Sequence, residues 1–248
     1  MKILFDSPSH KNVFFDDLSE GQMVQANQHV IVSDGEAMVL DPGGHKVYTK
    51  LLAQMATVAR PAQIKQILFS HQDPDIVASA NGWLMMTDAT AHLPSLWMRF
   101  LPHFGVDDLV VKRVKPIPDQ GTNLTLGSCT LKIIPAHFLH SPGNAQLYDP
   151  VARILYSGDL GASLGAPYFE VPDFDAHVQY LEGFHRRYMP SSSALKAWAR
   201  MVRALDVEIV APQHGAILRG KPMIERFASW LERLEVGPDL LAANCTVP

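Results

Sequence analysis

The stretch that most constrains this chain is Ile64-Lys65-Gln66-Ile67-Leu68-Phe69, an apolar run of strand length, followed at once by Ser70-His71-Gln72-Asp73-Pro74-Asp75. Pro74 disfavours helix at Asp73 and forces an extended or turned backbone there. His71, Asp73 and Asp75 therefore leave the end of a buried strand close together. An imidazole and two carboxylates have little reason to gather on a core element unless a cation holds them. The segment reads as part of a metal site.

Three later stretches repeat the pattern. The strand-like Thr130 to Pro135 leads into His137-Phe138-Leu139-His140-Ser141-Pro142-Gly143-Asn144. Val151 to Tyr156 ends in Ser157-Gly158-Asp159-Leu160-Gly161, and Val207 to Val210 runs into Ala211-Pro212-Gln213-His214-Gly215. Glycines beside such residues let the backbone pass close to a bound ion. Each residue alone has an ordinary reading. His71 serves as a cap or a donor to a neighbouring ligand, His140 as a loop histidine, Asp159 as an Asx-turn former, His214 as a core histidine bonded to a carbonyl. Together they give six donors, His71, Asp73, Asp75, His140, Asp159 and His214, presented from strand ends on one rim of a sheet sandwich.

The remaining pattern is mixed α/β. Lys2 to Ser7 reads as an edge strand, Gln22 to Asp34 as one strand, and Ala37 to Leu40 as its hairpin partner across Asp34-Gly35. Asp41-Pro42-Gly43-Gly44 then stops the sheet. Apolar residues at three-to-four spacing predict helices over Val47 to Arg60, Val77 to Thr87, Ser95 to Phe104, Asp175 to Tyr188, Ser192 to Leu205 and Met223 to Leu234. Ser191 to Ser193 supply N-cap material. Further strands are expected at Leu109 to Arg113 and Thr122 to Leu126. Met85-Met86 and Trp97-Met98 read as core filling. No linker marks a boundary, so a single domain over residues 1–248 is expected.

Composition excludes some functions. With 47% hydrophobic and 19% charged residues the chain is globular, and its net charge of -4 gives no electrostatic case for nucleic acid. Two cysteines, Cys129 and Cys245, make no disulfide framework and no Cys-x-x-Cys; they read as one buried strand thiol and one near a mobile end. No basic start precedes an apolar stretch and no stretch approaches membrane length, which leads to the expectation of a cytoplasmic protein off the membrane.

The arrangement resembles the metallo-β-lactamase fold superfamily, whose usual first motif is His-x-His-x-Asp-His, followed by a lone His, an Asp after a strand and a His near the end. Here the stretch is His71-Gln72-Asp73-Pro74-Asp75-Ile76. A carboxylate in the second position is similar to the di-iron branch, flavodiiron proteins and their flavodoxin-free oxygen-binding relatives, which use His-x-Glu-x-Asp. The Ser-Pro after His140, the interval from there to Asp159 and the Ser-Gly-Asp strand end resemble that branch too.

The resemblance implies an α/β fold, a four-layered αββα sandwich. It implies that His71, Asp73, His140 and Asp159 hold one metal, while Asp75, a bridging Asp159 and His214 hold another. Ile76 stands where the usual motif has a further histidine, so the second ion is one nitrogen short. An open position, a substitute donor such as His92 or His137, or weak occupancy would follow. Hard carboxylate donors favour two iron ions, or manganese, and zinc also accepts Asp. O2 or another small ligand is the implied partner, for binding or sensing. Reduction of O2 or NO would need a separate redox partner. The alternative is a hydrolase of an ester, lactam or phosphodiester in which Asp75 acts catalytically by orienting a metal-activated water. A metal-poor scaffold whose rim loops bind a partner is the third reading. Kinship and base frequency suggest a homodimer. Tyr168, Phe169 and Trp83 are expected either to line the pocket or to pack.

Overall fold

The computed structural model describes residues 1–16, 18–241 and 247, so Cys245 lies outside the described residues. The chain divides into two compact units, Met1–Pro135 with Leu147–Ala152, and Ala136–Gln146 with Arg153–Pro248. It is mixed α/β, with two sheets and helices.

The first unit contains a seven-stranded sheet in sequence order: β1 (Lys2–Asp6), β2 (His10–Phe15), β3 (Gln28–Ser33), β4 (Glu36–Leu40), β5 (Ile64–Leu68), β6 (Thr90–Pro94) and β7 (Val114–Ile117). The first four strands are antiparallel, and β4 to β7 are parallel. The predicted hairpin forms at Asp34-Gly35, where both residues take positive φ, 48° and 82°, as a tight primed turn requires. Parallel strands need crossovers, and α1 (His45–Met55) supplies the first, burying Val47, Leu51 and Met55. After β5 come the short α2 (Pro74–Val77) and α3 (Ala80–Met86). The hairpin of β8 (Thr122–Leu126) and β9 (Cys129–Pro135) completes the unit's regular strands, apart from the end of β10 (Ala145–Asp149).

Several expectations need correction here. Residues 22–27 are not strand, and Val24 is 57% exposed; β3 begins only at Gln28. Leu109 to Arg113 is a turn and a 3-10 segment, because Asp107 accepts the Val110 and Val111 amides at 3.0 and 2.9 Å. The strand lies just beyond, at Val114–Ile117. Its Pro116 argues against strand from sequence, yet β7 is an edge, where proline is tolerated. Ser95 to Phe104 forms a 3-10 stretch to Phe100 and then turns; Pro102 has no amide to continue a helix. Met85 and Met86 do not fill the core, being 56% and 49% exposed, since the inward face of α3 is Ala80, Trp83 and Leu84. Trp97 and Met98 do pack against it, partly buried.

The second unit pairs β11 (Ile154–Gly158) with β12 (Ile209–Pro212) in parallel, and β12 with β13 (Leu218–Arg219) antiparallel. α4 (Phe174–Tyr188) starts on Asp173, whose carboxylate accepts the Ala176 amide at 2.9 Å, and buries Phe174, His177, Leu181 and His185. α5 (Ser192–Arg203) starts on Ser191 and buries Leu195, Trp198, Ala199 and Val202. α6 (Lys221–Arg233) buries Ile224, Phe227, Ala228 and Leu231. All three stripes follow the predicted spacing. β11 starts later than expected because Asp149 captures the Val151 and Ala152 amides in a turn.

Candidate metal centre

The first unit presents His71, Asp73 and Asp75 just past β5. The neighbouring parallel strand β4 ends at the same side, so Asp41 meets the outgoing chain: its carboxylate accepts the Ser70 amide at 2.8 Å, and its own amide donates to the Leu68 carbonyl at 2.9 Å. Ser70 Oγ then lies 2.9 Å from His71 Nδ1, which fixes the ring. Nε2 faces the other way, 3.7 Å from Asp73 Oδ2. A second partner on one ring nitrogen is how metal-ligating histidines are held. Asp73 occupies the N-cap position of α2 without capping it, and instead takes a hydrogen bond from Gln72 Nε2 at 2.8 Å. Asp75 follows in the first turn of α2, half-buried. Ile76 is fully buried in the hydrophobic core of this unit with Val77 and Trp83. An imidazole there would forfeit that packing, which accounts for the apolar residue.

His140, Asp159 and His214 belong to the second unit. β11 and β12 run parallel, so Asp159 and His214 emerge from the same end of adjacent strands. The carboxylate of Asp159 lies between two imidazoles, with Oδ2 3.0 Å from His140 Nε2 and Oδ1 3.5 Å from His214 Nε2. A carboxylate whose two oxygens address different histidines has the disposition of a bridging ligand. The His140 loop closes on itself: the Ala136 amide donates to the Asn144 carbonyl at 2.9 Å, and the Asn144 carboxamide donates to the Leu139 carbonyl. The His140 ring meets the edges of Tyr188 and Phe184, at 5.7 and 6.3 Å between centroids.

Residues that the sequence did not single out hold these ligands. The Gly161 amide donates to His185 Nε2 at 3.0 Å, so Nδ1 carries the proton and donates to the Leu181 carbonyl at 2.7 Å. Burial pushes the His185 pKa down to about 4, so the ring is neutral at ordinary pH. Ser163 ties the other strand end: its amide donates to the His214 carbonyl at 3.2 Å, and its Oγ accepts the Ala216 amide at 3.0 Å. The i, i+4 pair Phe184 and Tyr188 was legible as a helical aromatic pair, but not its target.

Of the substitute donors, His92 bonds Gln66 Oε1 at 2.8 Å across β5 and β6, and His137 places Nδ1 3.2 Å from the Pro142 carbonyl. Trp83 is a core residue, edge-on to Tyr48. Tyr168 bonds His177 Nδ1 at 2.9 Å.

A mixed α/β chain with imidazole and carboxylate groups at strand ends defines a protein of the metallo-β-lactamase fold, on the side of its di-iron members. Residues 24–215 match the model of the family described as "ODP family beta lactamase", and the chain belongs to that family. It is similar to a solved structure described as the peroxy diiron species of the chemotaxis sensor ODP, with 37% identity and a TM-score of 0.89 over 98% of this chain and 100% of that one. The apo state of chemotaxis sensor ODP from T. denticola gives 36%, 0.88, 98% and 98%. Among curated proteins it matches the type A flavoprotein of Rhodobacter capsulatus, 27% identical over 77% of this chain and 44% of that protein. The nitric oxide reductase of Moorella thermoacetica is 26% identical over 83% of this chain and 53% of that protein. The chain thus spans about half the length of these curated relatives. Among the described residues no helix is long and apolar enough to cross a membrane.

Proposed function

We propose that the chain is a non-haem di-iron protein that binds or senses O2. The observation that carries this reading is the placement of Asp159, with one oxygen toward His140 and the other toward His214. In this reading Asp159 would serve both irons; His71, Asp73 and His140 would help to hold one, and Asp75 and His214 the other. The donor chemistry fits, since imidazole and carboxylate ligands suit iron. When bound, a ferrous pair would supply the electrons for taking up a diatomic ligand. The protein's part is to hold the ligands in place: His185 accepts the Gly161 amide two residues past Asp159, the Ser163 amide ties the His214 carbonyl, and Asn144 closes the His140 loop. Ile76 contributes no donor, so the second ion would be held by one nitrogen fewer than the usual motif supplies, which suits a small ligand. Likeness to a chemotaxis sensor along its full length favours sensing over turnover. Reduction of O2 or NO would need electrons from a separate partner.

The test is anaerobic purification with metal quantification and an optical spectrum before and after O2. Two irons per chain and an oxygen-dependent absorption band are expected. Two zincs with no spectral change would overturn the reading and promote metal-dependent hydrolysis, with Asp75 orienting the water.

A further inference from the structure

We infer that the first unit carries a separate cation site in which His10, Cys129 and Asp149 hold one thiophilic divalent ion of the zinc class. These residues come from β2, β9 and the end of β10, elements that supply none of the proposed iron ligands. One donor atom from each lies within 4.8 Å of the other two, and all three side chains are buried. Zinc–ligand bonds of about 2.0–2.3 Å put tetrahedral donors roughly 3–4 Å apart, so only a small closure separates this trio from coordination.

Hydrogen bonds already draw His10 and Asp149 together. Asp149 Oδ2 is 2.7 Å from both His10 Nε2 and Asn12 Nδ2, while Oδ1 accepts the Val151 and Ala152 amides at 3.0 and 3.2 Å. Burial raises the Asp149 carboxyl, but the His10 and Asn12 bonds outweigh it and hold the pKa below the ordinary value. The carboxylate is therefore ionised, and His10 Nε2 carries the proton it donates. His10 Nδ1 is left buried without a hydrogen-bond partner, on a residue 3% exposed.

The thiol completes the case. Burial, and then the charge of Asp149, push Cys129 up to about 11, so without a cation it stays protonated and inert. A dication displaces the thiol proton to solvent, and its two positive charges balance the new thiolate and Asp149. His10 binds through Nε2, the nitrogen that faces Asp149, giving up its hydrogen bond to that carboxylate and keeping its proton on Nδ1. Sulfur and nitrogen donors select the zinc class over magnesium or calcium. His10 also borders a groove of about 360 Å³, with Asp6, Ser7, Lys11 and Asp34.

Cobalt(II) is the probe, because a cobalt–thiolate bond absorbs in the near ultraviolet and imidazole or carboxylate ligation does not. Cys129 and Cys245 are the chain's two cysteines, and the proposed iron set contains neither. Titrating the metal-stripped full chain should give a charge-transfer band that saturates at one equivalent of bound thiolate. Cys129→Ser should abolish it and Cys245→Ser should leave it. Asp149→Asn should weaken cobalt binding at this band by more than the roughly 10–100-fold that losing an outer hydrogen-bond partner of a ligand costs. Folded wild-type protein without the band, or a band that follows Cys245, overturns the proposal. The wild-type and Cys245→Ser measurements decide this even if the Cys129 variant does not fold.

Discussion

Gly215→Ala tests whether the His214 strand end is held as tightly as the structure requires. Gly215 has φ +79°, and a Cβ there would lie 2.0 Å from the Ser163 carbonyl oxygen and 2.2 Å from its Oγ. Ordinary contact begins at 3.4 Å, so Ser163 must retreat by more than an ångström. The left-handed backbone alone costs an alanine about 1–2 kcal/mol. The retreat also breaks the Ser163 bonds to the His214 carbonyl and the Ala216 amide. Two such bonds contribute about 2 kcal/mol more. A loss of about 3–4 kcal/mol is therefore expected from urea unfolding of the metal-free protein, among the larger effects of a single substitution. Because the Ser163 amide that retreats holds the His214 carbonyl, iron stoichiometry should fall as well. A loss below about 1 kcal/mol with full iron content would refute the reasoning. Rescue by Ser163→Ala would also refute it, since that change removes the hydroxyl and leaves the carbonyl in place.

Three other outcomes follow from the same geometry. Asp159→Ala should lose both ions and His214→Ala mainly one, read as metals per chain after anaerobic desalting; equal losses would contradict a bridging Asp159. Asp41→Ala leaves the buried Ser70 amide without its acceptor. It should cost about 1–3 kcal/mol in urea unfolding and loosen metal retention through His71, while unchanged stability would count against it. Burial lowers the His92 pKa from 6.5 to about 4, so the fold prefers the neutral ring. That contribution is complete above pH 6.5 and is lost as pH falls through the window from 6.5 to 4, up to about 3 kcal/mol at its foot. His92→Gln should flatten stability across this window, which unfolding curves at several pH values would check.

Local signals in the sequence determined a good deal. Runs of strand length ending in Ser70-His71, Ser157-Gly158-Asp159 and Gln213-His214 marked where ligands leave the sheets, because strand ends and turn residues are written in adjacent positions. The Asp34-Gly35 hairpin and the buried stripes of α4, α5 and α6 were legible for the same reason. β2, β7 and β10 were not, since burial on both faces or an internal proline erases the alternation that marks a strand.

The tertiary structure alone decided which atoms meet. Nothing near Asp159 in the chain says that its two oxygens face His140 and His214, or that His185, 24 residues away, accepts the Gly161 amide. Asp41, read as a sheet stop, turned out to hold the amide before His71. Ile76, read as a missing ligand, proved to be a core residue, so one side chain both completes the packing and withholds a donor. His10 and Asp149 are 139 residues apart and carry no mutual signature. Periodicity and turn chemistry act over a few residues, whereas ligand geometry depends on how parallel strands bring distant ends together, and only the folded chain sets that.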